Sequence, residues 1–113
     1  MGLFAKRSVV LVRFPFSDLT QTKLRPAVVL ADCGRNDWLL CQITSNAYAD
    51  LRAVQLTEKD FSTGSLRVTS YARPAKIFTA HQSLINPHTI GVLRGESFER
   101  IADALIHLLR SKS

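Results

Sequence analysis

The sequence predicts a mainly β domain, a small barrel or curled sheet, with a single helix at its C-terminal end. Three observations carry this. Short apolar runs rich in β-branched residues recur along the chain and stop at turn chemistry, as in Val9–Phe14 before Pro15 and Trp38–Thr44 before Ser45-Asn46. A sustained helical period occurs only over Glu96–Arg110. No repeat, low-complexity tract or linker interrupts the 113 residues, so positions 1–113 read as one domain around one core.

Taken in order, Val9–Phe14 is the first strand and residues 17–23 are a polar loop. Arg25–Cys33 is the second strand, and its unbroken apolar stretch Ala27–Ala31 predicts burial on both faces. Gly34-Arg35-Asn36-Asp37 is a turn cluster that joins it to the third strand, Trp38–Thr44, as a hairpin. Residues 47–51 are irregular. Arg52–Thr57 alternates polar and apolar, as a half-exposed strand does, and Glu58–Ser65 reads as a loop. Leu66–Thr79 is extended but contains Pro74, which requires an edge position or a bulge. Ser83–Pro87 is a turn or one helical turn, and Thr89–Leu93 is a last short strand. In the helix, Phe98, Ile101, Ala102, Leu105, Leu108 and Leu109 share one face, while Glu96 and Glu99 near its start and Arg110 and Lys112 near its end suit the helix dipole.

Composition narrows the function. A hydrophobic content of 46% supports a packed core and argues against disorder. The net charge of +6 favours a polyanion or an acidic protein as partner, although charge also serves solubility. Cys33 and Cys41 form no C-x-x-C pair and sit in apolar sequence, which predicts reduced structural thiols and a cytoplasmic protein. No apolar run reaches membrane-spanning length and no signal-peptide pattern opens the chain, so no membrane partner is expected. His81, His88 and His107 are scattered without a carboxylate at ligand spacing, so neither metal nor cofactor is expected. Nucleophile-elbow, Walker and dinucleotide fingerprints are missing, which argues against common hydrolases, NTPases and dehydrogenases.

The stretch Phe14–Leu30 holds the chemistry. Pro26 fixes its own φ and pushes Arg25 into an extended conformation at the mouth of a buried strand. A guanidinium there must pair with a carboxylate or meet an anionic ligand, because a lone buried charge is costly. Other polar groups fall at strand ends: Ser17, Asp18, Thr20, Thr22 and Lys23 in the first loop, Thr44 and Ser45 after the third strand, and Ser70, Tyr71, Arg73 and Lys76 around Pro74. If these ends share a rim, it offers cations and hydroxyls for phosphates and an aromatic ring for bases. Such a set supports cleavage of RNA by its own 2′-hydroxyl, with Arg25 stabilising the phosphorane and Thr44 donating to a phosphoryl oxygen. Asp18 is the nearest candidate base. Plainer readings stand beside this one: an Arg25–Asp18 salt bridge, Thr44-Ser45 as a strand stop, Arg73 and Lys76 as a solvated edge, and Phe14 and Phe16 as core or interface residues.

The segments Phe14-Pro15-Phe16-Ser17-Asp18-Leu19, Lys23-Leu24-Arg25-Pro26-Ala27-Val28-Val29-Leu30 and Leu40-Cys41-Gln42-Ile43-Thr44-Ser45 resemble the PemK/MazF family of toxin endoribonucleases. Asp60-Phe61, Ser70-Tyr71-Ala72-Arg73-Pro74, Lys76-Ile77 and Ile90-Gly91-Val92-Leu93 follow in the same order. The resemblance implies an SH3-like barrel, a homodimer, and the toxin of a type II toxin–antitoxin pair. It also implies metal-independent, sequence-specific cleavage of single-stranded RNA to 2′,3′-cyclic phosphate and 5′-hydroxyl ends, with an acidic antitoxin as partner. By position, Arg25 and Thr44 match catalytic residues, Ser45 and Arg73 assist at the phosphate with Lys23, and the loop containing Ser17 and Asp18 touches RNA. Two places depart from the pattern: Ala75 stands where many members carry an acid, and Arg7-Ser8 where many carry Gly-Asp or Gly-Glu. Two alternatives follow, a toxin of the same fold that poisons a protein such as gyrase, and a degenerate member that binds RNA or antitoxin without turnover.

Overall fold

In the computed structural model, which describes residues 4–15, 22–47 and 49–112, the strands pair into one antiparallel sheet. The elements are β1 (Ser8–Pro15), β2 (Thr22–Gly34), β3 (Asp37–Thr44), β4 (Val54–Leu56), β5 (Phe61–Gly64), β6 (Ser70–His81), β7 (Gly91–Leu93) and the helix α1 (Gly95–Arg110). Short 3-10 turns lie at Glu58–Asp60 and Gln82–Leu84. The spatial order is β4-β6-β3-β2-β1-β7-β5.

That order forces the sheet to curl. β4 and β5 stand at opposite edges, yet only residues 57–60 separate them in the chain. Five Cα steps span at most about 18 Å. Six inter-strand spacings in a flat sheet would need about 29 Å. The edges meet only if the sheet wraps round, which gives the expected barrel-like architecture with its C-terminal helix.

Both faces of the central strands are covered, as the apolar stretch in β2 predicts. Val9, Val28 and Cys41 oppose one another across β1, β2 and β3 and join Leu56, Phe61, Leu93 and Ile101 in one buried cluster. The alternate residues Val10, Ala27, Val29 and Leu40 join Phe4, Trp38 and Ile85 in the other. The β2–β3 hairpin turns on Arg35 and Asn36, both at positive φ (56° and 66°), the signature of a two-residue type I′ turn.

Several expectations change. Phe61–Gly64 is a strand rather than loop, because β7 supplies its ladder. The bulge expected at Pro74, by contrast, is present: β3 advances from Cys41 to Ile43 while β6 runs from Ile77 back to Ala72. Of the two thiols, only Cys41 is buried, since β2 leaves the core through register shifts before reaching Cys33. In α1, Ile101 is fully buried with Phe98 and Leu105 packed beside it, but Leu109 is 73% exposed. Eight residues beyond Ile101, Leu109 is rotated by about 80° from the buried line.

Candidate nucleic-acid interface

The site is built where β3 ends beside the β1–β2 ladder, which runs on for three more residue pairs past Arg25. Antiparallel pairing sets Pro26 opposite Leu11 and Arg25 opposite Val12. On the other side of β2, Ala27 pairs with Gln42. Continuing that register by two residues brings Arg25 across from Thr44. Both line a groove of about 370 Å³, together with Lys23, Ser45 and Ser70 and the apolar residues Leu24, Pro26, Leu66 and Val68. Arg25 and Thr44 stand roughly twenty positions apart in the sequence; sheet pairing makes them neighbours.

Arg25 and Thr44 are half-buried, while Lys23 and Ser45 are exposed. The Thr44 hydroxyl oxygen accepts from the Asn46 N–H at 3.2 Å, which keeps the hydroxyl's own hydrogen for donation. Ser70 is buried, and its Oγ donates to the Val68 carbonyl at 3.0 Å, fixing the wall of the groove opposite the strand ends. The described lining contains two cations, Lys23 and Arg25, three hydroxyls, and no carboxylate or imidazole. The described lining is therefore cationic, the character that an anion site requires.

Arg73 is placed differently from its neighbours in the expected site. Its Nε donates to Asp50 Oδ2 at 3.0 Å, and it does not line the groove. The Arg52 backbone N–H and the Arg73 side chain hold the Asp50 carboxyl below the usual carboxylate range. The pair ties the segment after β3 to the bulge of β6. Asp50 was not foreseen, because its partner lies 23 positions away with no local pattern to announce it. Ala75 is exposed in the same bulge, so no carboxylate follows Arg73 there. Ser17 and Asp18 lie outside the described residues.

Among the described residues, no three His, Cys, Asp or Glu side chains gather in a metal-binding group. Nor is any described helix long and apolar enough to cross a membrane.

A family profile described as PemK-like, MazF-like toxin of type II toxin–antitoxin system matches residues 5–109. The chain belongs to this family. No curated protein sequence matches it. Among solved structures, a MazE–MazF complex from Deinococcus radiodurans (Form-II) superposes with a TM-score of 0.77 at 16% identity, covering 99% of this chain and 100% of that one. The Mycobacterium tuberculosis toxin MazF-mt6 gives 0.71 at 17% identity, covering 95% and 100%. A mycobacterial endoribonuclease in complex with its cognate antitoxin gives 0.66 at 14% identity, covering 96% of each chain. Identities this low carry the fold, and the profile carries the membership. The PemK/MazF resemblance read from the Arg-Pro strand start and the Ile-Thr-Ser strand end therefore holds, as does the β architecture with a terminal helix.

Proposed function

We propose that this PemK/MazF-family toxin is a sequence-specific endoribonuclease that cuts single-stranded RNA by attack of the substrate's own 2′-hydroxyl. The observation that supports this most is the convergence of Arg25 and Thr44, from adjacent strands, on one cation-lined groove. The 2′-oxygen attacks the adjacent phosphorus, the bond to the 5′-oxygen breaks, and the products are a 2′,3′-cyclic phosphate and a 5′-hydroxyl. No water is consumed, and the chemistry asks for no metal. What it requires is stabilisation of the dianionic phosphorane and relay of one proton.

Arg25 supplies permanent charge and two parallel donors to the equatorial oxygens. Thr44 adds a hydroxyl donor. Lys23 and Ser45, exposed at the groove's mouth, hold phosphate, and Ser17 and Asp18 in the preceding loop contact the RNA. Asp18, the candidate base in the sequence, takes the 2′-hydroxyl proton, and the 5′-oxygen takes up a proton as it leaves. Arg73 has its Nε taken by Asp50, so its terminal N–H groups are the donors it offers a phosphate. The same reading gives the protein a homodimeric state, a cytoplasmic site of action and an acidic antitoxin. The structures solved with MazE or with a cognate antitoxin support the last of these, and the +6 charge suits it.

The test is incubation of purified protein with a long RNA in EDTA, followed by end-group analysis. Discrete fragments ending in cyclic phosphate are expected. Arg25→Ala should slow cleavage on the order of a hundredfold. Full activity in Arg25→Ala would remove Arg25 from the chemistry. A non-cleaving family member is the second reading, favoured by Ala75 and by the engagement of Arg73 with Asp50. Intact RNA that is bound with a steep salt dependence would select it.

A further inference from the structure

A second groove, of about 420 Å³, opens beside the first and shares Val68 with it. Its lining is Thr57, Glu58, Lys59, Arg67, Val68 and Thr69, so two cations face one carboxylate. We infer that this second groove is an RNA backbone subsite, in which Lys59 and Arg67 hold phosphates of nucleotides flanking the one cut between Arg25 and Thr44. The inference rests on the endoribonuclease reading and adds a substrate path to it.

Three features favour a polyanionic single strand here. The first is continuity: a strand leaving the Arg25–Thr44 groove crosses Val68 directly into the second. The second is the surface of the crossing. Val68 is 60% exposed, an apolar face on which an unstacked base can lie. The third is that the backbones carrying both cations are anchored. Lys59 sits in the 3-10 turn Glu58–Asp60, which Asp60 pins by accepting from the Thr57 N–H at 2.8 Å and from Ser97 Oγ at 2.7 Å. The Lys59 carbonyl also accepts from Arg94 Nε at 2.9 Å. Arg67 has a left-handed backbone (φ 68°), and its N–H donates to Ser65 Oγ at 2.9 Å. Such anchoring lowers the ordering cost of binding a flexible chain.

The test uses two oligonucleotides sharing one cleavage sequence, read beforehand from the fragments of a long RNA. One ends close to the cut and the other extends beyond it. The double variant Lys59→Gln/Arg67→Asn removes both charges, with Asn chosen because it tolerates the left-handed backbone. Wild-type protein should show a lower KM for the longer oligonucleotide, and the double variant should lose that advantage, the effect falling on KM rather than kcat. Binding of the long, uncleavable 2′-deoxy analogue should have a salt slope shallower by about 1.4, two contacts at about 0.7 each. Across a fourfold rise in salt that is a difference of about sevenfold in affinity. Glu58→Gln should act in the opposite direction and tighten the long oligonucleotide. An unchanged length advantage and slope, while Arg25→Ala still loses cleavage, would overturn the subsite and leave the ribonuclease reading intact. An unchanged RNA slope with weakened binding of polyglutamate would assign the groove to an acidic protein and overturn the subsite equally. Failure of the wild-type protein to bind or cut any RNA would overturn both readings.

Discussion

Replacing Asp60 by Ala tests how the sheet edges are held together, and through them the geometry of both grooves. Asp60 ends the 3-10 turn between β4 and β5, the two sheet edges. Its Oδ2 accepts from the Thr57 N–H, and its Oδ1 accepts from Ser97 Oγ and from Arg100 in α1. Ser97 is 2% exposed, so deleting the carboxylate strands its hydroxyl away from water, at a cost of about 1–3 kcal/mol. Loss of the reciprocal cap on the turn adds about 1 kcal/mol. The Arg100 side chain is 51% exposed, so that ion pair contributes only about 0.5 kcal/mol after solvent screening. Since these groups share one acceptor, the terms do not simply add, and about 3 kcal/mol is the expected loss. For a domain of this size that lowers Tm by roughly 15 °C. Urea unfolding followed by tryptophan fluorescence at Trp38 measures it, with Arg100→Ala as a control costing under about 1 kcal/mol. A loss below about 1 kcal/mol for Asp60→Ala would refute the argument that this carboxylate ties helix to sheet.

Further outcomes follow from the same geometry. Burial works against the Asp60 charge, but the Thr57 N–H, the Ser97 hydroxyl and Arg100 outweigh it and hold the carboxyl below its ordinary value of 3.8. With the folded pKa depressed, the contribution is present above the unfolded pKa and is lost as pH falls through the folded one. Melting curves of the wild type and Asp60→Asn should therefore differ at neutral pH and converge at strongly acid pH. Gly64→Ala should cost about 3 kcal/mol or more by urea titration, since its Cβ would lie 2.2 Å from the Ile90 carbonyl oxygen at a φ of +68°. Burial raises the Cys41 thiol to about 12, so a thiol reagent at pH 8 should label Cys33 alone in the native protein, and Cys41 only after unfolding.

Much of this fold is legible in the chain because local rules and tertiary structure agree. The runs around Val9, Val28 and Leu40 satisfy β propensity and core burial together, and the turn at Arg35-Asn36 announces its hairpin. Phe61–Gly64 is different: nothing in Phe-Ser-Thr-Gly alternates, and it is a strand only because Val92 and Leu93 lie beside it. Leu109 shows the limit of a helical-face argument, since a residue can share the apolar stripe and still be rotated well away from the buried line through Ile101. At the site, Thr44 is readable because the Ser45-Asn46 stop marks the end of β3, and Arg25 because Pro26 holds it extended, although β2 begins three residues earlier, at Thr22, than the Arg-Pro pair suggests. The Asp50–Arg73 and Asp60–Ser97 contacts were not, because each joins residues 23 or more positions apart through side chains alone.

The central claim is that the RNA supplies its own nucleophile in the groove between Arg25 and Thr44. It is tested most directly by an oligonucleotide with a single 2′-deoxy substitution at the nucleotide 5′ of the cut. Attack by the 2′-hydroxyl requires that this strand is bound as tightly as its all-ribose counterpart and is left uncut, while the all-ribose strand yields a 2′,3′-cyclic phosphate. Cleavage of the 2′-deoxy strand at the same position would show that water or a protein group attacks instead, and would contradict it.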